Sequence, residues 1–168
     1  MRPSTEIKTY QMSERSDRPD FEIRTGEVKS PIVTPHRHDF FQIHININGG
    51  SRHGIRNTES IYPDRSIIFI LPYRVHYSIP AENPNYYIIN FSKNFLGSDL
   101  TANIFETEEL IALEHPEILP FLYQGLVDFN FNNQDFSYIL SLVDKIYIAS
   151  KEQKLGWKER VKGGLLEL

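Results

Sequence analysis

From Phe21 to Phe91 the sequence is a succession of short alternating runs rich in Ile, Val, Phe and Tyr, cut at short intervals by Gly and Pro. FEIRTGEV, PIVT, FFQIHININ, SRHGIRNT, SIIFILP, VHYSIP and NYYIINFS are the candidate strands. Period-two alternation in pieces this short, with turn residues between them, is the pattern of an all-β sandwich or barrel. After Phe91 the period changes. In TEELIAL, ILPFLYQGLVDF and DFSYILSLVDKIYIASKEQK apolar residues recur every three or four positions, which predicts helices. The fold class expected is mainly β with C-terminal α-helices.

The division that follows is residues 1–20 as a flexible polar arm broken by Pro3 and Pro19, 21–97 as a β-barrel, and 98–168 as a helical segment. The sequence contains no cysteine, so a metal would have to rest on His, Asp, Glu or Gln. It has neither the roughly 20 consecutive apolar residues of a spanning helix nor the apolar stretch of a signal peptide. A cytoplasmic protein without membrane contact is the expectation. A net charge of −4 argues against direct binding to a nucleic acid backbone, which is held by neutralising phosphates with Lys and Arg.

In the longest helical run Phe136, Ile139, Leu140, Val143, Ile146 and Tyr147 form one stripe, with Asp135, Asp144, Lys145, Lys151 and Glu152 mostly off it. Such a stripe packs either on its own domain or on a second copy. GWKERVKGGLLEL starts a further amphipathic helix with Trp157, Val161, Leu165 and Leu168 in register, and ends without a capping signal. Gly163 and Gly164 weaken it by roughly 1 kcal/mol each relative to Ala, so packing must hold it. Ile139, Val143, Ile146, Trp157, Val161 and Leu165 are the residues expected at a homodimer seam.

The densest chemistry lies in PHRHDFFQIHININGG, Pro35 to Gly50. Strand alternation sends Phe41, Ile43, Ile45 and Ile47 to one face and Phe40, Gln42, His44, Asn46 and Asn48 to the other, which His36 and His38 share. The polar ladder could simply face water. A second histidine cluster, SIIFILPYRVHYSIP, sets His76 at the start of a later strand. If the two strand starts meet, His36, His38 and His76 with the Gln42 amide oxygen make a set suited to a divalent transition metal. His53 and His115, outside these motifs, are expected on the surface.

The spacing HxHx3Qx6G, read as His36, His38, Gln42 and Gly49 and followed by SIIFILPYRVH, resembles the cupin motifs, in which a glutamate stands at the Gln42 position. More narrowly, PHRHDFFQIHININGG, IIFILPYRVHYS and YYIINFSKNFL together resemble the N-terminal sensor domain of AraC/XylS-type transcription regulators, and LGWKERVKGGLLEL resembles the helix preceding their DNA-binding part. The resemblance implies a cupin-like double-stranded β-helix, a jelly-roll barrel that binds a small effector, then helices that mediate homodimerisation. It implies that DNA is contacted only through a helix-turn-helix part absent from this sequence. Gln42 in place of glutamate, and Asp64, Arg65 and Tyr73 in turns where the family often has glycine, are departures from the pattern.

On this resemblance the effector pocket is expected to involve His36, His38, Phe40, Gln42, His44, Asn46, Tyr62, His76 and Tyr77, and to suit a sugar or small acid. No catalytic residue and no obligatory cofactor is expected. The competing expectation is a small metal-dependent cupin enzyme, an isomerase or oxygenase, built on His36, His38, Gln42 and His76.

Overall fold

The computed structural model describes residues 7–25, 32–56, 58–82, 84–97, 115–127 and 129–168. Its strands in chain order are β1 Thr9–Tyr10, β2 Phe21–Thr25, β3 Arg37–His38, β4 Phe41–Asn48, β5 Ser51–Ile55, β6 Thr58–Tyr62, β7 Ser66–Ile70, β8 His76–Pro80 and β9 Asn85–Phe91. The helices are α1 Met12–Arg15, α2 Lys93–Leu96, α3 Leu119–Tyr123, α4 Asn133–Glu152 and α5 Trp157–Glu167. The predicted strand PIVT is not formed over its described residues, and the predicted helix TEELIAL lies outside the described residues.

One sheet has the order β2-β9-β4-β7 and the other β6-β5-β8, with every pairing antiparallel. The two face each other as a jelly roll. β1 pairs in parallel with β3, and a bridge in which His36 and His76 exchange both backbone hydrogen bonds, each 2.9 Å, ties that edge to β8. β4 turns into β5 through Gly49 and Gly50, both with positive φ. The turn carries the chain from one sheet to the other through left-handed backbone, which glycine enters without steric cost. A Cβ on Gly50 would come 2.7 Å from the Tyr62 carbonyl oxygen. At Arg65 and Tyr73, where the sequence departs from the family's glycines, the backbone is nonetheless left-handed, with φ of 57 and 59.

Strand β4 has no solvent face between Phe41 and Asn46 apart from a partly exposed Gln42. Its Phe41, Ile43 and Ile45 point out of the barrel and under the helices. There they join Phe21, Ile67, Phe69, Ile89 and Phe91 in one cluster with Phe121, Phe136, Ile139, Val143, Ile146 and Val161. Burial of such side chains contributes about 1.5–3 kcal/mol each, so this sheet–helix layer is the main store of stability. The ladder of β4 points the other way, into the barrel, where Ile55, Tyr62, Ile68 and Ile70 form a smaller apolar cluster.

This arrangement corrects the expected dimer seam. Ile139, Val143, Ile146 and Val161 are fully or almost fully buried in the chain's own core, and Trp157 and Leu165 pack against it. An amphipathic stripe has the same period whether its partner is a sheet of its own chain or a second copy, and here the sheet takes it. α5 lies so close on α4 that a Cβ at Gly164 would stand 2.7 Å from Cγ1 of Ile146. One of the two glycines read as a weakness is therefore required by packing.

The expected flexible arm is also corrected over residues 7–20. Beyond β1, Asp39 Oδ1 accepts from the Met12 N–H at 3.0 Å. Arg18 Nη1 donates to the Ser150 carbonyl on α4 at 2.7 Å, and Lys158 on α5 pairs with Asp20 at 3.1 Å. Residues 1–6 lie outside the described residues. Among the described residues no helix is long and apolar enough to cross a membrane.

Candidate functional site

The β4 ladder, the first turn of β8 and the β9 residues opposite enclose a cavity of about 60 Å3 at one end of the barrel. His36, His38, Phe40, Gln42, His44 and His76 all line it, and so do Tyr10 and Arg15 of the N-terminal segment. His38, His44 and His76 are almost fully buried whereas Tyr10 and Arg15 are only partly so, which places the outer end of the cavity at the latter two.

Local geometry fixes what the imidazoles present. Nδ1 of His36 lies 2.9 Å from the Thr34 carbonyl oxygen, Nδ1 of His38 lies 2.6 Å from that of Phe40, and Nδ1 of His76 lies 2.9 Å from that of Arg74. A carbonyl only accepts, so in each neutral ring the proton sits on Nδ1 and Nε2 is left as an acceptor. The ring of His36 is 4.3 Å from that of His76, which is 4.7 Å from that of His38. Phe40 stacks on His38 at 4.2 Å. The Gln42 amide is turned aside to donate to Asn90 Oδ1 at 3.0 Å, across the β4–β9 pair.

Electrostatics follow from burial. Removal from water pushes the pKa of His36, His38 and His76 down, and neighbouring imidazoles push His38 and His76 down further. His44 is brought to about 4 by burial against a smaller opposing effect of its hydrogen bond with Asn46. The cavity is thus lined by neutral rings at pH 7.

Three expected residues are elsewhere. Asn46 is buried but committed, donating to Ser51 Oγ at 2.9 Å and Ser66 Oγ at 3.0 Å. Tyr62 is buried with its hydroxyl accepting from Gln124 Nε2 at 3.1 Å, and its ring lies 5.5 Å from His53. Tyr77 points outward over Gly54, bonded to Glu59, because odd positions of β8 face away from the barrel. His53 corrects the sequence reading in the other direction. It is 1% exposed, edge to face with His44 at 4.8 Å, and its Nε2 contacts Ser78 Oγ at 3.2 Å. The period-two burial of Ser51, His53 and Ile55 carries it inward, a signal hidden by the polar run SRHG. His115 is partly exposed and meets Glu117 at 3.1 Å. Tyr10 and Arg15 were hidden in the polar lead-in, where no periodic pattern marks them.

The metal set expected from His36, His38, Gln42 and His76 does not assemble. Among the described residues no three His, Cys, Asp or Glu side chains come together in a way that could hold a metal ion, and the Gln42 amide is engaged with Asn90. What the arrangement offers is hydrogen bonding: a row of imidazole acceptors, a partly exposed amide and a cationic outer rim.

Over residues 18–145 the sequence matches the family described as AraC-like ligand binding domain. No curated protein matches it. Among solved structures it is similar to an apo variant of ToxT from Vibrio cholerae, with 14% identity, a TM-score of 0.51, and coverage of 91% of this chain and 55% of that one. It is also similar to KdgF from Halomonas sp., at 18% identity over 46% of this chain and 73% of that one, TM-score 0.38. An RmlC-like cupin from Shewanella frigidimarina matches at 15% identity over 44% and 66%, TM-score 0.36. The chain therefore spans about half of ToxT, and at 14% identity that likeness speaks for the fold.

Proposed function

This chain belongs to the AraC-like ligand-binding domain family, and from that premise we propose that it senses a small polar effector for a transcription regulator. The barrel holds the effector, the helices relay its presence and form a homodimer, and DNA is contacted through a part outside these 168 residues. The reading is non-enzymatic and cytoplasmic. The observation that carries it is the buried imidazole-lined cavity whose outer rim belongs to a segment tied to the helices.

Tyr10 and Arg15 line the cavity, and three residues beyond Arg15 the Arg18 guanidinium holds the Ser150 carbonyl of α4. A molecule that fits the cavity better with this segment closed shifts the segment, and with it α4, toward one arrangement. Dimerisation falls to what the helices leave exposed, such as Tyr138 and Ile148 of α4 and Leu166 of α5.

Thermal unfolding against a panel of sugars and small acids tests the sensor reading. A ligand at 100 times its Kd adds roughly 2.7 kcal/mol, so one compound should raise the midpoint well above the rest. Sedimentation tests the dimer, and a strict monomer at high micromolar concentration contradicts it. Stoichiometric metal in the purified protein, lost in a His36→Ala, His76→Ala double variant, would contradict this reading and favour a metal-dependent cupin enzyme.

A further inference from the structure

Resting on the sensor reading, we propose that the effector is a short hydroxylated monocarboxylate, its hydroxyls donating to Nε2 of His38 and His76 and its carboxylate paired with Arg15. The imidazoles of the inner wall present acceptors. The Nδ1 atoms of His36, His38 and His76 are committed to backbone carbonyls, and Nε2 of His38 is buried with no partner among the described residues, as is Nε2 of His44. A ligand reaching them must bring donors, and in a small uncharged fragment those are hydroxyl groups.

The outer end has the opposite character. Arg15 lines the cavity 5.5 Å over the Tyr10 ring and has no carboxylate partner among the described residues. Among the described residues no Asp or Glu lines the cavity. An amine would meet a cation and no anion, and a dicarboxylate would set its second charge among buried neutral rings. One carboxylate at one end, with hydroxyls at the other, satisfies both.

Size narrows the class. The enclosed space is about 60 Å3, about twice the roughly 30 Å3 that one water occupies in the liquid. Only a short chain fits there, so a three- or four-carbon polyol acid would set its carboxylate at the open rim. Glycerate and erythronate are of this size. Phe40, stacked on His38, and Ile88 supply apolar contact for the carbon chain.

Calorimetric titration of the protein with D-glycerate and D-erythronate, beside propionate and glycerol, tests the assignment. At least one hydroxy acid should bind with a Kd at least tenfold lower than either control. Arg15→Gln should weaken that acid at least tenfold and leave glycerol unchanged, and Arg15→Lys should recover part of the loss. Arg15 is partly exposed, so these variants should fold. Glycerol binding as well as the acids, or Arg15→Gln without effect, overturns the ligand class and leaves the sensor reading standing. A response only to some other member of the sugar and acid panel does the same. No response to any compound overturns both.

Discussion

His44 and His53 meet edge to face inside the barrel, ring centres 4.8 Å apart, and each keeps one ring nitrogen without a partner among the described residues. Burial holds His44 at about 4 and His53 well below the usual histidine range. In the unfolded chain both titrate near 6.5, so below that pH the unfolded state binds more protons and stability falls with pH. The stabilisation is full above about pH 7 and drains away between about 6.5 and 4. His44 alone accounts for a loss of about 2 kcal/mol by pH 5 and about 3 by pH 4, at 1.36 kcal/mol per pH unit. Urea unfolding midpoints from pH 8 to 5 measure it. His44→Gln, which cannot gain the proton, should flatten the profile, and an equally steep profile in that variant rules the cause out.

The two neighbouring glycines of α5 should respond oppositely to alanine. At Gly163 nothing stands within 4 Å of an added Cβ, so Gly163→Ala should stabilise by about 1 kcal/mol through helix propensity. At Gly164 the Cβ would meet buried Ile146 at 2.7 Å, and Gly164→Ala should destabilise by about 1–3 kcal/mol despite the same propensity gain. Equilibrium denaturation of the two variants side by side decides it. Equal effects would mean that α5 is not seated on α4.

Asn132 caps α4 by accepting from the Asp135 N–H at 2.9 Å. Asn132→Ala should cost about 1 kcal/mol, whereas Asn132→Ser should cost only a few tenths. Thermal midpoints of the pair are the measurement, and no difference between them would remove the cap from the account.

Arg65 holds a left-handed backbone, φ 57, with its N–H on the Asn46 carbonyl at 2.9 Å and its own carbonyl accepting from Phe131 at 3.0 Å. Arg65→Gly relieves a strain of roughly 1–3 kcal/mol and gives back roughly 0.5–1 kcal/mol in chain entropy. The net expected effect is a gain of up to about 2 kcal/mol in denaturant unfolding. A net loss would show that the exposed arginine side chain contributes in its own right.

Much of this molecule was legible in the sequence. The alternation of Phe41 to Asn48 separated the two faces of β4 correctly, because a strand has a strict period of two whatever it packs on. What the period could not say is what each face meets. The isoleucine face lies under helices, and the stripe of α4 that looked free for a second copy is the other half of that layer. The family resemblance, carried by the spacing of the histidines and Gln42, is what pointed to His36, His38, Phe40, Gln42, His44 and His76, which line the cavity. Tyr10 and Arg15 come instead from a non-local pairing of β1 with β3, which leaves no mark in the polar segment. Tyr77 and His53 were exchanged, because one outward residue beside a glycine and one inward residue in a polar run look alike until strand register is known.

β4 pairs with β7 and β9, and Gln42 faces Ile70 on one side and Asn90 on the other. Its histidine face is closed by strands up to Pro80, and its isoleucine face by a helix that starts at Asn133. During synthesis, then, the apolar face of β4 emerges before β7, β9 or α4 exists. Closing such distant pairings is slow, so the first half of the nascent chain must wait with Phe41, Ile43 and Ile45 uncovered, a stretch that invites chaperone capture or intermolecular strand pairing until the ribosome has delivered α4.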